Sequence, residues 1–199
     1  MAVLAESGFI IVSRHPVNLN VSWKIRMTEL EFWQILSLFD WNKTGDDDAV
    51  LEPACSALAK KAPDEIIHFE EILAEKLHAI DTRRHCKACY AGELDPDNGD
   101  DYISADDFLY QRCVVVANGR EFYYDVRDNP GAFPQGMEFE ALLSLGSNAF
   151  ERATRNEFEH CTAVSYESFQ NHDGWEATEE TNPGKFTGDG MPPGNRRPT

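Results

Sequence analysis

The stretch from Pro63 to Ile80 reads PDEIIHFEEILAEKLHAI and predicts the clearest helix of the chain. Pro63 loses no hydrogen bond in a first helical turn, and the acids that follow it suit the positive end of the helix dipole. The apolar residues recur at the spacing of one helical face; they are Ile66, Phe69, Ile72, Leu73, Leu77 and Ile80. The residues expected on the solvent side are Glu70, Glu71, Glu75 and Lys76. A helix with one apolar face needs partners, so this stretch predicts a helical bundle.

Other segments with helical spacing lie on both sides of this stretch. A helix opens at Met27, because Thr28 and Glu31 have the spacing of a capping box. Ser104 stands where it would cap a later helix. The predicted spans are 27–39, 47–61, 104–117, a short helix around 122–126, and 137–158. The sequence therefore predicts a mainly α fold, a compact bundle of about five to six helices.

The two ends of the chain differ in composition from this bundle. Residues 1–26 contain short β-prone runs and predict an N-terminal extension. Residues 173–199 predict a disordered C-terminal tail, because the part from Glu176 onward contains four prolines, four glycines and almost no apolar side chains. The helical domain is therefore expected to span 27–172.

Charge restricts the classes of partner. The 199 residues include 18 Lys and Arg against 35 Asp and Glu, a formal net charge of −17. Such a surface repels nucleic-acid phosphates and anionic lipids, and it attracts basic protein surfaces. We therefore expect no binding to nucleic acid or membrane, and a basic protein as partner.

Location is predicted from the cysteines and the apolar runs. The five cysteines are an odd number without the spacing of a disulfide framework, which favours free thiols in the cytoplasm. No apolar run approaches the roughly 20 residues of a membrane-spanning helix, and the N-terminus lacks the basic start of a signal peptide.

Residues 95–107 suggest a calcium loop. The candidate ligands are Asp95, Asp97, Asp100 and Asp107. An EF-hand loop requires glycine at its sixth position, and with Asp107 as the twelfth that position is Asp101. The alternative is an acidic turn that leads into the helix capped by Ser104.

A second possible metal site involves cysteine and histidine. Cys86 and Cys89 form a Cys-x-x-Cys pair beside His85, and Cys161 could complete a tetrahedral zinc site. The alternative is structural, because cysteines three residues apart share one face of a helix and often fill small gaps in a core.

Catalytic motifs are not evident in the sequence. It has no nucleophile elbow, phosphate-binding loop, dinucleotide fingerprint or HExxH motif, and no cofactor is predicted. The polar set Asp106, Asp107, Tyr110 and Arg112 is the one candidate catalytic cluster.

Four separated segments of the chain resemble, in order, a bacterial family of domains of unknown function, the one numbered 4240. They are MTELEFW (27–33), PDEIIHF (63–69), DDFLYQR (106–112) and DNP (128–130). The resemblance covers about residues 27–157. It implies a helical, cytoplasmic bacterial domain and supplies no established chemistry.

Charge and the lack of a catalytic motif together favour a non-enzymatic interaction protein. One specific form is an immunity or inhibitor protein that covers a basic toxin, because negative charge speeds such encounters. The alternatives are an enzyme built around Asp106, Asp107, Tyr110 and Arg112, or a calcium-binding module that uses residues 95–107.

Overall fold

The structure is a computed structural model that describes residues 26–90, 92 and 101–176, and the backbone of 186–188. Eight α-helices lie in these residues: α1 Glu29–Leu36, α2 Asp47–Leu58, α3 Pro63–Ala79, α4 Arg83–Cys89, α5 Ala105–Ala117, α6 Arg120–Asp128, α7 Leu145–Thr154 and α8 His172–Glu176. Three 3-10 helices span Trp41–Lys43, Pro130–Ala132 and Glu140–Ser144. Strand β1 (Asp101–Ile103) pairs in parallel with β2 (Phe186–Gly188). The mainly α fold class is confirmed.

Local capping explains where the predicted helices begin. The Thr28 hydroxyl accepts a hydrogen bond from the Glu31 backbone N–H (3.2 Å), and the Glu31 carboxylate accepts one from the Thr28 N–H (2.8 Å). This reciprocal pair is the predicted capping box. Ser104 caps α5 by accepting from the Asp107 N–H at 3.0 Å. Each cap satisfies backbone donors that a helix leaves unpaired at its first turn.

Helix α3 supplies much of the core and packs against α1, α5 and α7. Its apolar face is buried as the spacing predicts, and Ile66, Phe69, Leu73 and Leu77 are each 0% exposed. The Phe69 ring lies 4.9 Å from the Phe32 ring of α1, measured between centroids. The core therefore forms around the stretch from Pro63 to Ile80.

The solvent-side assignment of Glu70 is wrong. This residue is only 5% exposed, whereas Glu75, on the same helix, lies at the surface. The reason is that α7 packs against the Glu70 side of α3, so this helix is covered over more of its circumference than a single apolar stripe. Periodicity within one helix cannot show how many neighbours the helix has.

The predicted helix over 137–158 is also wrong in its extent. Residues 137–139 are not helical, the chain then forms the 3-10 turn Glu140–Ser144, and α7 ends at Thr154. Phe139 is held outside a helix because its N–H bonds the Tyr110 carbonyl (3.2 Å) and its ring packs on Phe39. At the other end, Arg155 takes a left-handed conformation (φ 62°) that stops α7.

Packed structure continues past residue 172, the predicted end of the domain. Helix α8 extends to Glu176, and its Trp175 is 8% exposed against the rings of Phe108 and Phe169. Helices α4 and α8 were not predicted because each is too short to show a periodic apolar pattern. Residues 1–25 of the predicted extension lie outside the described residues, as do 177–185 and 189–199 of the predicted tail.

Candidate functional site

Arg112, a candidate catalytic residue from the sequence, is fully buried on α5. Its guanidinium donates hydrogen bonds to the Leu77 carbonyl (2.9 Å), the Tyr166 carbonyl (3.0 Å) and the Ser168 hydroxyl (2.8 Å). Burial lowers the pKa of Arg112, and the charge of Asp81 opposes that effect. These contacts tie the segment around 166–168 to the helices, which is a structural role.

Asp81, immediately after α3, carries the charge opposite to Arg112. It is 0% exposed, and its carboxylate accepts hydrogen bonds from the backbone N–H groups of Phe169 (2.9 Å), Gln170 (2.7 Å) and Asn171 (2.9 Å). The Trp175 indole N–H adds a fourth at 3.0 Å. These four hydrogen bonds satisfy the oxygens of a carboxylate that has no contact with solvent. Sequence patterns gave no signal for this role.

The other members of the predicted catalytic set do not join Arg112. Asp106 is exposed at the start of α5, and Asp107 is half-buried there. The Tyr110 hydroxyl donates to the Glu140 carboxylate at 3.1 Å, which raises the pKa of Tyr110. Among the three bonds that Arg112 makes, none goes to these residues. A catalytic role for the set stays a prediction.

The zinc candidates are placed in two environments. His85, Cys86 and Cys89 are buried in α4, whereas Cys161 is exposed. Both His85 ring nitrogens are occupied, Nδ1 with the Thr82 hydroxyl (2.7 Å) and Nε2 with the Val126 carbonyl (3.2 Å). Burial strongly raises the pKa of the Cys86 thiol, which opposes formation of the thiolate that zinc requires.

Metal ligation by the described residues can be tested geometrically. Within these residues, no three His, Cys, Asp or Glu side chains form a group that could hold a metal ion. Asp95, Asp97 and Asp100 lie outside the described residues, and Asp107 lies in the first turn of α5. The calcium proposal therefore stays a prediction. All five cysteines are free, as the sequence predicts.

The side chain of Glu70 opens onto a cleft that sequence reasoning missed. This Glu70 cleft, of about 440 Å³, is lined among others by Glu70, Leu143, Phe158, Cys161, Tyr166 and Glu167. The Glu70 Oε2 atom is buried and has no hydrogen-bond partner among the described residues. Burial, with a smaller contribution from neighbouring Glu71, raises the pKa of Glu70 to about 7. A perturbed carboxyl in a cleft is a common mark of a binding or catalytic site.

The neighbouring Glu71 is paired. His160 Nε2 lies 2.5 Å from one Glu71 oxygen, and the Ala163 N–H donates to the other at 2.9 Å. Burial acts to raise the pKa of Glu71, but these two bonds outweigh it and the pKa is lowered. Adjacent glutamates of α3 therefore differ, one charged and bonded, the other buried and unpartnered.

A second candidate surface, the Trp41 groove, has exposed apolar side chains. It measures about 380 Å³ and is lined by Trp41, Val50, Val114, Met137 and Phe139, with Asp47 and Glu138 among its polar residues. Trp41 is 47% exposed and Met137 is 58% exposed. The centroid of the Trp41 ring lies 5.4 Å from that of Phe139, with the rings tilted by 51°, and 5.6 Å from that of Phe39 in an edge-to-face contact. Large apolar side chains at one groove are unusual on a surface and mark contact sites.

A third cavity, of about 490 Å³, lies between α2 and α7 and is closed by an ion pair. Arg152 donates to both carboxylate oxygens of Glu52, at 2.7 and 2.9 Å. Because the charges of Glu52 and Arg152 already pair with each other, this cavity is a weaker candidate than the other two. None of the described helices is long and apolar enough to cross a membrane.

Comparison with protein-family models matches residues 27–152 to one family, described as a protein of unknown function (DUF4240). The match covers more than half of the chain. The chain belongs to the DUF4240 family. Comparisons with curated proteins and with solved structures find no match.

The DUF4240 match does not cover all of the sites described above. It includes the Trp41 groove, Glu70 and Arg112. The segment from Phe158 to Trp175, which closes the Glu70 cleft and supplies the partners of Asp81, lies beyond the matched residues. In this DUF4240 protein the groove therefore lies within the family match, whereas the cleft is completed by residues outside it.

Proposed function

We propose that this protein is a non-enzymatic interaction module that binds a basic protein through the Trp41 groove. The observation that carries the proposal is the exposure of Trp41 and Met137 at one groove with acidic residues at its edge. Trp and Met are enriched at protein interfaces, and Trp in particular forms binding hot spots.

The charges around the groove select the partner. Asp47 and Glu138 line it, and Asp46 and Asp48 are exposed beside Asp47. Among the described residues, neither Lys nor Arg lines the groove; Lys43 is exposed nearby in the turn that carries Trp41. An apolar side chain flanked by Lys or Arg is therefore the complementary occupant. Negative charge at the edge would speed its approach at low salt.

Three cations elsewhere on the surface pair with carboxylates. Lys76 lies 2.9 Å from Glu29, Lys61 lies 3.1 Å from Glu31, and Arg152 binds Glu52. With 18 Lys and Arg against 35 Asp and Glu, such pairs leave many carboxylates without a cation, which supports a cationic partner.

A narrower form of the proposal identifies the partner as a basic toxin and this protein as its immunity or inhibitor protein. It predicts that co-expression with the partner protects the producing cell, and that the W41A variant does not. Absence of protection by the unmodified protein would contradict this narrower form and leave the interaction proposal standing.

The test is affinity capture from extract of the native cells at about 50 mM salt, followed by washes of rising salt. The unmodified protein, W41A and L30A serve as baits. Leu30 is the matched control because it is a large apolar residue, 63% exposed, that does not line the groove. Truncating a central Trp costs at least about 2 kcal/mol, which is about 30-fold in affinity.

We expect the unmodified bait and L30A to retain the same basic protein, and W41A to lose it. Release of that protein should occur as the salt rises. The proposal would be abandoned if no protein is retained, if the retained protein is acidic, or if W41A retains it as well as L30A does.

A further inference from the structure

Glu70 is a buried acid with one carboxylate oxygen that no described residue hydrogen-bonds. It is 5% exposed and its Oε2 atom has no hydrogen-bond partner among them. Burial of a carboxyl without a partner is unfavourable, and most buried polar side chains are hydrogen-bonded. The Glu70 carboxylate nevertheless has space in the fold because residue 146 of α7 is glycine. A Cβ atom at this position would overlap the carboxylate. The position therefore points to a missing partner.

The walls of the Glu70 cleft show what kind of group is missing. Glu167 adds a second carboxylate, and no Lys or Arg is among the described residues that line the cleft. The one basic side chain there, His160, is engaged with Glu71. Leu143 and the rings of Phe158 and Tyr166 supply apolar surface. A cation attached to an alkyl stem complements both features.

We propose that the Glu70 cleft binds an ammonium or guanidinium group, with the Glu70 carboxylate as its counter-ion and the apolar wall against its alkyl stem. The bound cation supplies the partner that the Glu70 carboxylate lacks among the described residues, in a cleft of about 440 Å³ that is also lined by Phe158 and Tyr166. The cation comes from a free amine or from a Lys or Arg side chain of another protein. The proposal rests on a different cavity from the Trp41 groove and does not depend on the function proposed there.

Titratable groups face Glu70 from three parts of the fold. Glu71 is next to it on α3, Cys113 of α5 interacts with it electrostatically, and the following segment contributes His160, Cys161, Tyr166 and Glu167. Among the cleft residues near α7, Leu143 and Ser147 carry no charge. Because burial raises the pKa of Glu70 to about 7, this carboxyl changes charge in the neutral range. Cation binding should therefore weaken on acidification.

The experiment is calorimetric titration of the full chain with n-butylguanidinium and n-butylammonium, with n-butanol as the neutral counterpart. We expect both cations to bind and the alcohol not to. Affinity should fall about 30-fold between about pH 8 and about pH 5.5, as Glu70 takes up its proton.

E70Q keeps the shape of the side chain and removes its charge. We expect E70Q to lose binding at pH 8, whereas E121Q, a change at an exposed glutamate of α6, should bind as the unmodified protein does. The proposal is overturned if neither cation binds at pH 8, if the alcohol binds equally well, or if folded E70Q retains the affinity. If E70Q does not fold, the comparison of cation with alcohol and the pH profile of the unmodified protein decide the question.

The source of the cation is distinguished by a blocked tripeptide with one central arginine. Binding at least tenfold tighter than n-butylguanidinium identifies a protein side chain as the ligand. Equal or weaker binding identifies a free amine or guanidine. If neither cation binds but the basic protein is still captured through Trp41, only the proposal for the Glu70 cleft is rejected. The capture experiment tests the Trp41 groove separately.

Discussion

A charged side chain inside a core must be judged by its partners. Arg112 is fully buried and donates hydrogen bonds to two carbonyls and a hydroxyl, and Asp81 accepts four N–H hydrogen bonds from residues 169–175. Together they fix residues 166–175 to α3 and α5. Removal of the Arg112 guanidinium leaves these two carbonyls and the hydroxyl buried without their donor.

R112M should therefore destabilise the fold by about 3–5 kcal/mol. The measurement is urea unfolding followed by circular dichroism. R84M is the matched control, because Arg84 is exposed on α4, and it should change the free energy of unfolding by at most about 0.5 kcal/mol. A loss below about 1 kcal/mol in R112M would contradict the structural role.

The raised pKa of Glu70 predicts how the free energy of unfolding depends on pH. Its pKa is about 7 in the folded protein, raised from 4.5, so the folded state holds this proton where the unfolded state has released it. Stability is therefore lost as the pH rises from the unfolded pKa to the folded one. The E70Q protein lacks this loss, so its stability relative to the unmodified protein should increase by about 2–3 kcal/mol between about pH 5 and about pH 8.

Unfolding of both proteins at several pH values checks this. Other titrating groups are common to both and cancel in the difference. E121Q should show a difference that does not vary with pH. If the difference in the free energy of unfolding between E70Q and the unmodified protein did not change with pH, the pKa of Glu70 would be the same in the folded and unfolded states. The buried position of Glu70 would then not be maintained in solution.

At the scale of elements, the close approach of α3 and α7 depends on a glycine. A Cβ at Gly146 would overlap the Glu70 carboxylate, so G146A should cost about 1–3 kcal/mol despite the higher helix propensity of alanine. Removing the carboxylate should relieve the overlap. The E70A/G146A double variant should thus show a coupling of about 1–2 kcal/mol.

Urea unfolding of the four proteins of this cycle provides the test. E121A combined with G146A is the control pair, and the two effects should simply add. If the changes in the free energy of unfolding caused by E70A and G146A also simply add, the Glu70 carboxylate and the new Cβ at position 146 do not overlap.

The elements predicted from sequence are those with local signals. The capping box of α1, the Pro63 start of α3 and the Ser104 cap of α5 each act within a few residues, so the sequence alone places them. The end of α7 depends on Arg155 in a left-handed conformation, and residues 137–139 depend on a bond to Tyr110. Such interactions are tertiary or unfavourable locally, and no periodic pattern reveals them.

The candidate sites were less predictable than the fold for the same reason. Asp106 and Arg112 stand out in the sequence because they are polar and close together, but one is exposed and the other buried. Glu70 resembles its exposed neighbours until α7 covers it. Trp41 and Met137 are far apart in the chain, and the fold brings them to one groove.

At the scale of the whole molecule, the net charge of −17 indicates an acidic protein but does not locate a binding surface. The Trp41 groove gives that charge a place to act, because apolar anchors and carboxylates occur together there. Salt should weaken binding at the groove because it screens the acidic residues at the edge. Truncation of Trp41 should weaken binding because it removes the aromatic centre.

The most direct measurement is photo-crosslinking in the native cells, with benzoylphenylalanine placed at position 41 or, as the control, at exposed position 30. We expect a discrete adduct at position 41 with a protein of strongly basic composition, and no such adduct at position 30. Absence of an adduct at position 41, or the same adduct from both positions, would contradict binding through the groove.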